Sequence, residues 1–121
     1  MYVVVAGAGI VGKNLATRLN EAKHDVVVID INPSVCEDLY ARHGLETIQG
    51  SATSIDVLEA AGLTKADVAV ATMRNDADNL AFTLLAHGFD VPRIIVSRSE
   101  SPASIDRCSG NGPKLELADS A

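Results

Sequence analysis

Residues 3–30 read VVVAGAGIVGKNLATRLNEAKHDVVVID, and no other stretch restricts the fold so strongly. A β-branched run ends at Gly7, and two more glycines follow at Gly9 and Gly12. Beyond them Val11, Leu15, Leu19 and Ala22 recur at helical spacing, with Lys13, Asn14, Arg18 and Glu21 on the other side. That spacing predicts an amphipathic helix over 10–22. The flanking runs YVVVA (2–6) and VVVID (26–30) are nearly all apolar. Strands of that kind must be covered on both faces, as in a parallel sheet.

The same alternation continues down the chain. Asn32 and Pro33 suit the cap and first turn of a helix that runs to about His43 and stops at Gly44. Short strands are predicted over 46–49, 67–72 (DVAVAT) and 93–97 (RIIVS). A short helix from Ser54 to Ala61, ended by Gly62, and a longer one over 76–87, ended by Gly88, lie between them. Strand and helix thus alternate through five rounds. Helix-length connections imply right-handed crossovers and an α/β fold: a Rossmann-like, doubly wound parallel sheet of five or six strands in three αβα layers. One domain is expected over residues 1–98. After Arg98 the segment SESPASIDRCSGNGP is rich in Ser, Gly and Pro, and residues 99–121 read as a polar tail, loop or disordered.

Gly7, Gly9 and Gly12 form G-x-G-x-x-G between the first strand and the first helix. The first glycine permits the turn out of the strand, the second lets backbone approach a pyrophosphate, and the third lets the helix pack on the sheet. The intervening Ala8, Ile10 and Val11 bring backbone amides to the positive end of the helix dipole. Asp30 ends the second strand 23 residues after Gly7, where an acid accepts from ribose hydroxyls and repels a 2′-phosphate. The combination predicts a dinucleotide site that prefers NAD(H) to NADP(H), with Ile31 beside the acid. The competing reading is a tight turn with an empty site and a solvent-facing aspartate.

Bulk properties remove other classes. The 121 residues are 47% hydrophobic but only 3% aromatic, so the core must be aliphatic. A net charge of -6 opposes nucleic acid and anionic membrane surfaces. No signal-like segment precedes Tyr2, and no apolar run approaches the roughly 18 residues that span a bilayer. A cytoplasmic location without direct membrane insertion is expected. Cys36 and Cys108 read as isolated thiols. His24, His43 and His87 fall at helix ends, and no catalytic triad or metal-ligand spacing is visible.

On four stretches the chain resembles the N-terminal nucleotide-binding domain of Trk-type potassium uptake regulators, the RCK-N or KTN domain. They are MYVVVAGAGIVGKNLATRL, HDVVVIDINP, TIQGSATSIDVLEAAGLTKADVAVATMRNDADNL and RIIVSRSESP, which together span about residues 1–102. The resemblance implies that Ser51, Ala52 and Thr53 lie beside the adenosine half of the ligand, with Ser51 standing where the family has aspartate. It also implies Thr72 and Met73 over the phosphates and second ribose, and Arg98 approaching the nucleotide. For Arg98 a surface salt bridge is the alternative. Asp76 and Asn79 match the family's D-x-x-N, with helix capping and surface solvation as their other role. ATP-binding relatives often carry arginine after the second glycine, where this chain has Ile10, so NAD(H) ranks ahead of ATP/ADP. The family usually continues into a further strand, a crossover helix and a small regulatory domain, where this chain has its polar segment.

In the 76–88 helix Leu80, Ala81, Leu84 and Leu85 cover one face, and Phe82, Ala86 and Phe89 extend the apolar character. A helix apolar nearly all round must be buried on more than one side. The resemblance points the same way, to a homodimer or higher ring through this helix and to a membrane potassium transporter or channel subunit as partner. A deeply buried helix in a monomer is the alternative. The expected role is a non-enzymatic, NAD(H)-sensing regulatory domain on the inner face of the membrane. The competitors are the cofactor half of an NAD-dependent oxidoreductase and an assembly domain with a vestigial site.

Overall fold

The computed structural model describes residues 1–98 and 115–119, with side chains described through Val96. Six strands form one sheet: β1 (Tyr2–Ala6), β2 (Asp25–Asp30), β3 (Glu46–Gln49), β4 (Val68–Ala71), β5 (Arg93–Arg98) and β6 (Leu115–Asp119). They lie in the order β3-β2-β1-β4-β5-β6, and every pairing is parallel. Chain direction across the sheet reverses beside β1, since β2 is on one side of it and β4 on the other. In a doubly wound sheet the crevice at that reversal is where ligands bind.

β6 corrects the tail expectation. Leu115–Asp119, in the segment read as loop or disordered, pairs with β5 from Ile94↔Leu115 to Arg98↔Asp119. Its LELAD sequence alternates weakly and is set apart from β5 by a polar stretch, so its strand character rests on the partner edge. The remainder of the predicted tail, with Cys108, lies outside the described residues.

Among the described residues four α-helices cover the sheet: α1 (Ile10–Glu21), α2 (Pro33–His43), α3 (Ile55–Ala60) and α4 (Asp76–Gly88). A 3-10 turn over Leu63–Lys65, which the sequence pattern does not signal, follows Gly62. Successive strand residues point to opposite faces and so divide the core into two layers. Val3, Val5, Val26, Val28, Val68 and Val70 pack with Ala16 and Leu39. Val4, Ala6, Val27, Ile29, Ala69 and Ala71 pack with Leu58, Phe82 and Ala86. α1 presents Gly12 and Ala16 most deeply, with Leu15 and Leu19 partly buried, so its inner stripe is rotated from the one predicted. Ala22 lies beyond the helix as its C-cap. In α2, Asn32 accepts from the Ser34 N–H, Pro33 opens the helix, and Gly44 ends it at a φ of 64°.

The helix α4 departs from its predicted faces. Asn79, Phe82, Thr83 and Ala86 are buried, whereas Leu80 and Leu84 are 60% and 64% exposed. Phe82 is the largest wholly buried side chain among the described residues, and its position sets the rotation of the helix. The two leucines i, i+4 apart then form an outward apolar stripe.

Candidate functional site

The C-terminal ends of β1, β2 and β4 surround a cavity of about 510 Å³. Gly7, Ala8 and Gly9 line it from the first turn, Asp30, Ile31, Asn32 and Val35 from the second, and Thr72, Met73 and Arg74 from the third. Its volume suits a small-molecule ligand. A second cleft, of about 200 Å³, lies at the opposite end of the sheet between Tyr2, Asn20, His24, Asp25 and Glu46. Burial foremost, then the charges of Glu46 and Asp25, pushes the Tyr2 phenol above its ordinary value.

The glycine turn is built by close approach. Gly7 has a φ of 98°, a left-handed conformation that side chains resist, and a Cβ there would meet Met73. A Cβ on Gly12 would meet the Gly7 carbonyl oxygen and Thr72 Oγ1. Thr72 is itself fixed: its Oγ1 donates to the carbonyls of Ala6 and Gly7 at 3.0 and 2.7 Å, and its N–H donates to Ala6 at 2.9 Å. Above Gly9 the situation is reversed, because a Cβ there would have nothing within 4 Å. No side chain caps α1, and its first turn holds no acid. Its N-terminal amides therefore keep their capacity for an anion.

Asp30 ties two turns together. One carboxylate oxygen accepts from the Ala8 N–H at 2.9 Å, and the other accepts from the Asn32 N–H at 2.8 Å. A carboxylate has about four acceptor positions, so lone pairs remain for ligand hydroxyls. Beneath it, Cys36 is buried, with its thiol 3.5 Å from the Asp30 carbonyl oxygen. Burial first, then the Asp30 charge, pushes that thiol above its ordinary value. A neutral, buried thiol is a poor nucleophile.

Across the cavity, Met73 is held at both backbone atoms. Asn79 Oδ1 accepts from the Met73 N–H at 2.9 Å, and Asn79 Nδ2 donates to the Met73 carbonyl at 2.8 Å. Asn79 is only 5% exposed, so its expected role in surface solvation is replaced by this clamp. The helix cap is Asn75, which accepts from the N–H groups of Ala77 and Asp78, while Asp76 is the first helical residue.

Of the predicted contacts, Gly7, Ala8, Gly9, Asp30, Ile31, Thr72 and Met73 come together around the cavity. Ile10, Val11 and Gly12 form the first turn of α1 beside it; Ile10 is 82% exposed and Gly12 is buried beneath the turn. Ser51, Ala52 and Thr53 do not line it. Ala52 belongs to the core, and the Ser51 hydroxyl lies 2.7 Å from that of Thr53 in their own turn. That turn nonetheless adjoins the end of β2, where Gly50 N–H donates to the Asp30 carbonyl. Arg98 ends β5, and the contact expected of its side chain lies outside what is described. The sequence pattern missed Asn32, Val35 and Arg74; the proximity of Arg74 to Thr72 and Met73 was the available signal. Among the described residues no group of three or more His, Cys, Asp or Glu could hold a metal, and no helix is long and apolar enough to cross a membrane.

The TrkA-N domain family model matches residues 3–112. The Trk system potassium uptake protein TrkA homolog of Methanothermobacter thermautotrophicus is 38% identical over 95 residues, covering 78% of this chain and 44% of that protein. The chain thus spans less than half the length of that relative. Among solved structures, the TrkA-N domain of the inner membrane protein ybaL from Escherichia coli superposes with a TM-score of 0.83 at 19% identity, covering 98% of this chain and 86% of that one. A GsuK channel bound to NAD superposes with a TM-score of 0.76 at 22% identity, covering 95% of this chain and 21% of the channel. At these identities the superpositions speak for the fold, whereas the family match spans most of the sequence. With its glycine turn, its reversal-point cavity and that match, the chain belongs to the TrkA-N domain family.

Proposed function

We propose that the domain binds NAD(H) and serves as the nucleotide-sensing regulatory part of a potassium transport system. The observation that carries this is the cavity itself. It has bare backbone at Gly9, an uncapped α1 N-terminus and the Asp30 carboxylate on one wall. Amides of the α1 first turn would hold the pyrophosphate, and Asp30 would accept from ribose hydroxyls. Ile31 and Val35 offer an apolar wall for a base. The NAD-bound GsuK channel supports the choice of ligand, and the TrkA homologues support the potassium system.

Regulation then requires that nucleotide states differ in affinity for two assemblies. The exposed Leu80 and Leu84 supply an apolar face for a second copy, in a dimer or ring that bears on a membrane transporter or channel from its cytoplasmic side. A dehydrogenase would need an acid or base against the nicotinamide. Among the described residues Asp30 is the single carboxylate lining the cavity, and it is engaged by two backbone amides.

Calorimetric titration with NAD, NADH, ATP and ADP tests the proposal. Saturable binding of NAD or NADH ahead of ATP and ADP is the expected result. Absence of binding by all four would leave an assembly domain with a vestigial site. Steady oxidation of NADH in the presence of carbonyl compounds would favour the oxidoreductase.

A further inference from the structure

Resting on the nucleotide reading, we propose that Arg74 is the side chain that faces the ligand's phosphates and sets the preference for phosphorylated over unphosphorylated adenosine ligands. Of the described residues lining the cavity, two carry charge: Asp30 on the β2 side and Arg74 on the β4 side. A diphosphate brought beside Asp30, in a chain of net charge -6, meets repulsion that backbone amides offset only partly. Ile10, exposed at the start of α1, offers no charge, and Lys13, a turn further in, does not line the cavity. Among the described residues, Arg74 is the one cation in its wall.

The backbone that carries it is fixed on both sides. Thr72 is bonded to the β1 carbonyls, Met73 is clamped by Asn79, and Asn75 caps α4. The Arg74 side chain is exposed, and no ion pair or hydrogen bond engages it among the described residues. A guanidinium on a fixed backbone with its donors uncommitted suits bidentate recognition of phosphate oxygens. The two charges then divide the work: the carboxylate takes hydroxyl donors and the guanidinium takes acceptor oxygens.

The test titrates wild type, Arg74→Gln and Arg74→Lys with adenosine, AMP, ADP and NAD, with thermal unfolding of each variant as a fold control. The expected result is an Arg74→Gln variant that unfolds like wild type and binds adenosine equally. Its affinity for ADP and NAD falls about tenfold or more, and Arg74→Lys recovers part of the loss. Equal affinity of wild type and Arg74→Gln for ADP and NAD would overturn the role of Arg74 while leaving the nucleotide site standing. A loss of the same size for adenosine would also overturn it, because the effect would not follow phosphate. Wild type that binds none of the four would overturn both proposals together.

Discussion

Substituting alanine at Gly12 and at Gly9 should have opposite consequences, although the chemical change is identical and the positions are three residues apart. At Gly12 the new methyl is built against the Gly7 carbonyl oxygen and 2.5 Å from Thr72 Oγ1. Neither neighbour can give way cheaply. The first is backbone in a turn at positive φ, and the second is held by bonds of 2.7 and 3.0 Å to the β1 carbonyls. The helix α1 must instead move off the sheet by about 1 Å, loosening Ala16 from its layer, at a cost of about 3 kcal/mol. With an unfolding entropy of roughly 2.1 cal/mol/K per residue, that lowers Tm by about 12 °C. At Gly9 the φ is -70°, and the methyl meets nothing within 4 Å. Gly9→Ala should leave Tm unchanged or raise stability by up to about 1 kcal/mol through the unfolded chain. Its NAD(H) affinity should nonetheless fall at least about tenfold, because the methyl occupies the approach to the backbone. Differential scanning calorimetry and isothermal titration of both variants give the two readouts. A Gly12→Ala protein with wild-type Tm, or a Gly9→Ala protein with wild-type affinity, would refute the reasoning about that glycine.

Asp30→Ala should weaken NAD(H) binding by about 1.5–3 kcal/mol, and should also lower the urea midpoint because the Ala8 and Asn32 N–H groups lose their acceptor; unchanged affinity by titration would remove Asp30 from the site. A Leu80→Glu, Leu84→Glu double variant should keep its Tm, since both side chains are exposed, yet sediment as a smaller species than wild type; an unaltered sedimentation profile would place the interface elsewhere. For Cys36 the folded pKa is raised, so the folded chain holds the thiol proton more tightly than the unfolded one. Its contribution to stability is complete below the ordinary thiol value of about 8.5 and is lost as pH rises through the folded value. Urea midpoints of wild type should therefore fall more steeply than those of Cys36→Ala above about pH 8.5, and parallel curves would contradict this.

What the sequence displays best is whatever depends on local periodicity. The all-apolar VVVA and VVVI runs read as central parallel strands, and α2 and α3 carry their own stops at Gly44 and Gly62, whereas α4 runs through the stop predicted at Gly88 to a cap at Phe89. The glycine spacing and Asp30 located the first two turns of the cavity for the same reason, since each motif is contiguous. What was hidden depends on rotation and on distant partners. The α4 sequence is apolar around most of its circumference, so nothing in it distinguishes an inward Phe82 from an outward Leu80. Asn79 looks like any polar residue near a helix start until the turn after β4 is folded back onto it. Ser51 and Ala52 follow a recognisable turn, yet Ala52 is drawn into the core by Leu58 and its neighbours. β6 is a strand through β5, a dependence invisible in five residues of mixed polarity.

The amide of Asn79 also works as a rigid linkage. It grips Met73 front and back while riding on the same helical rod that turns Leu80 and Leu84 outward. Hydrogen bonds of 2.8 and 2.9 Å tolerate only a few tenths of an ångström of stretch. Any sliding or tilting of that rod must therefore drag the lip of the crevice with it, and any molecule wedged under that lip stiffens the rod in return.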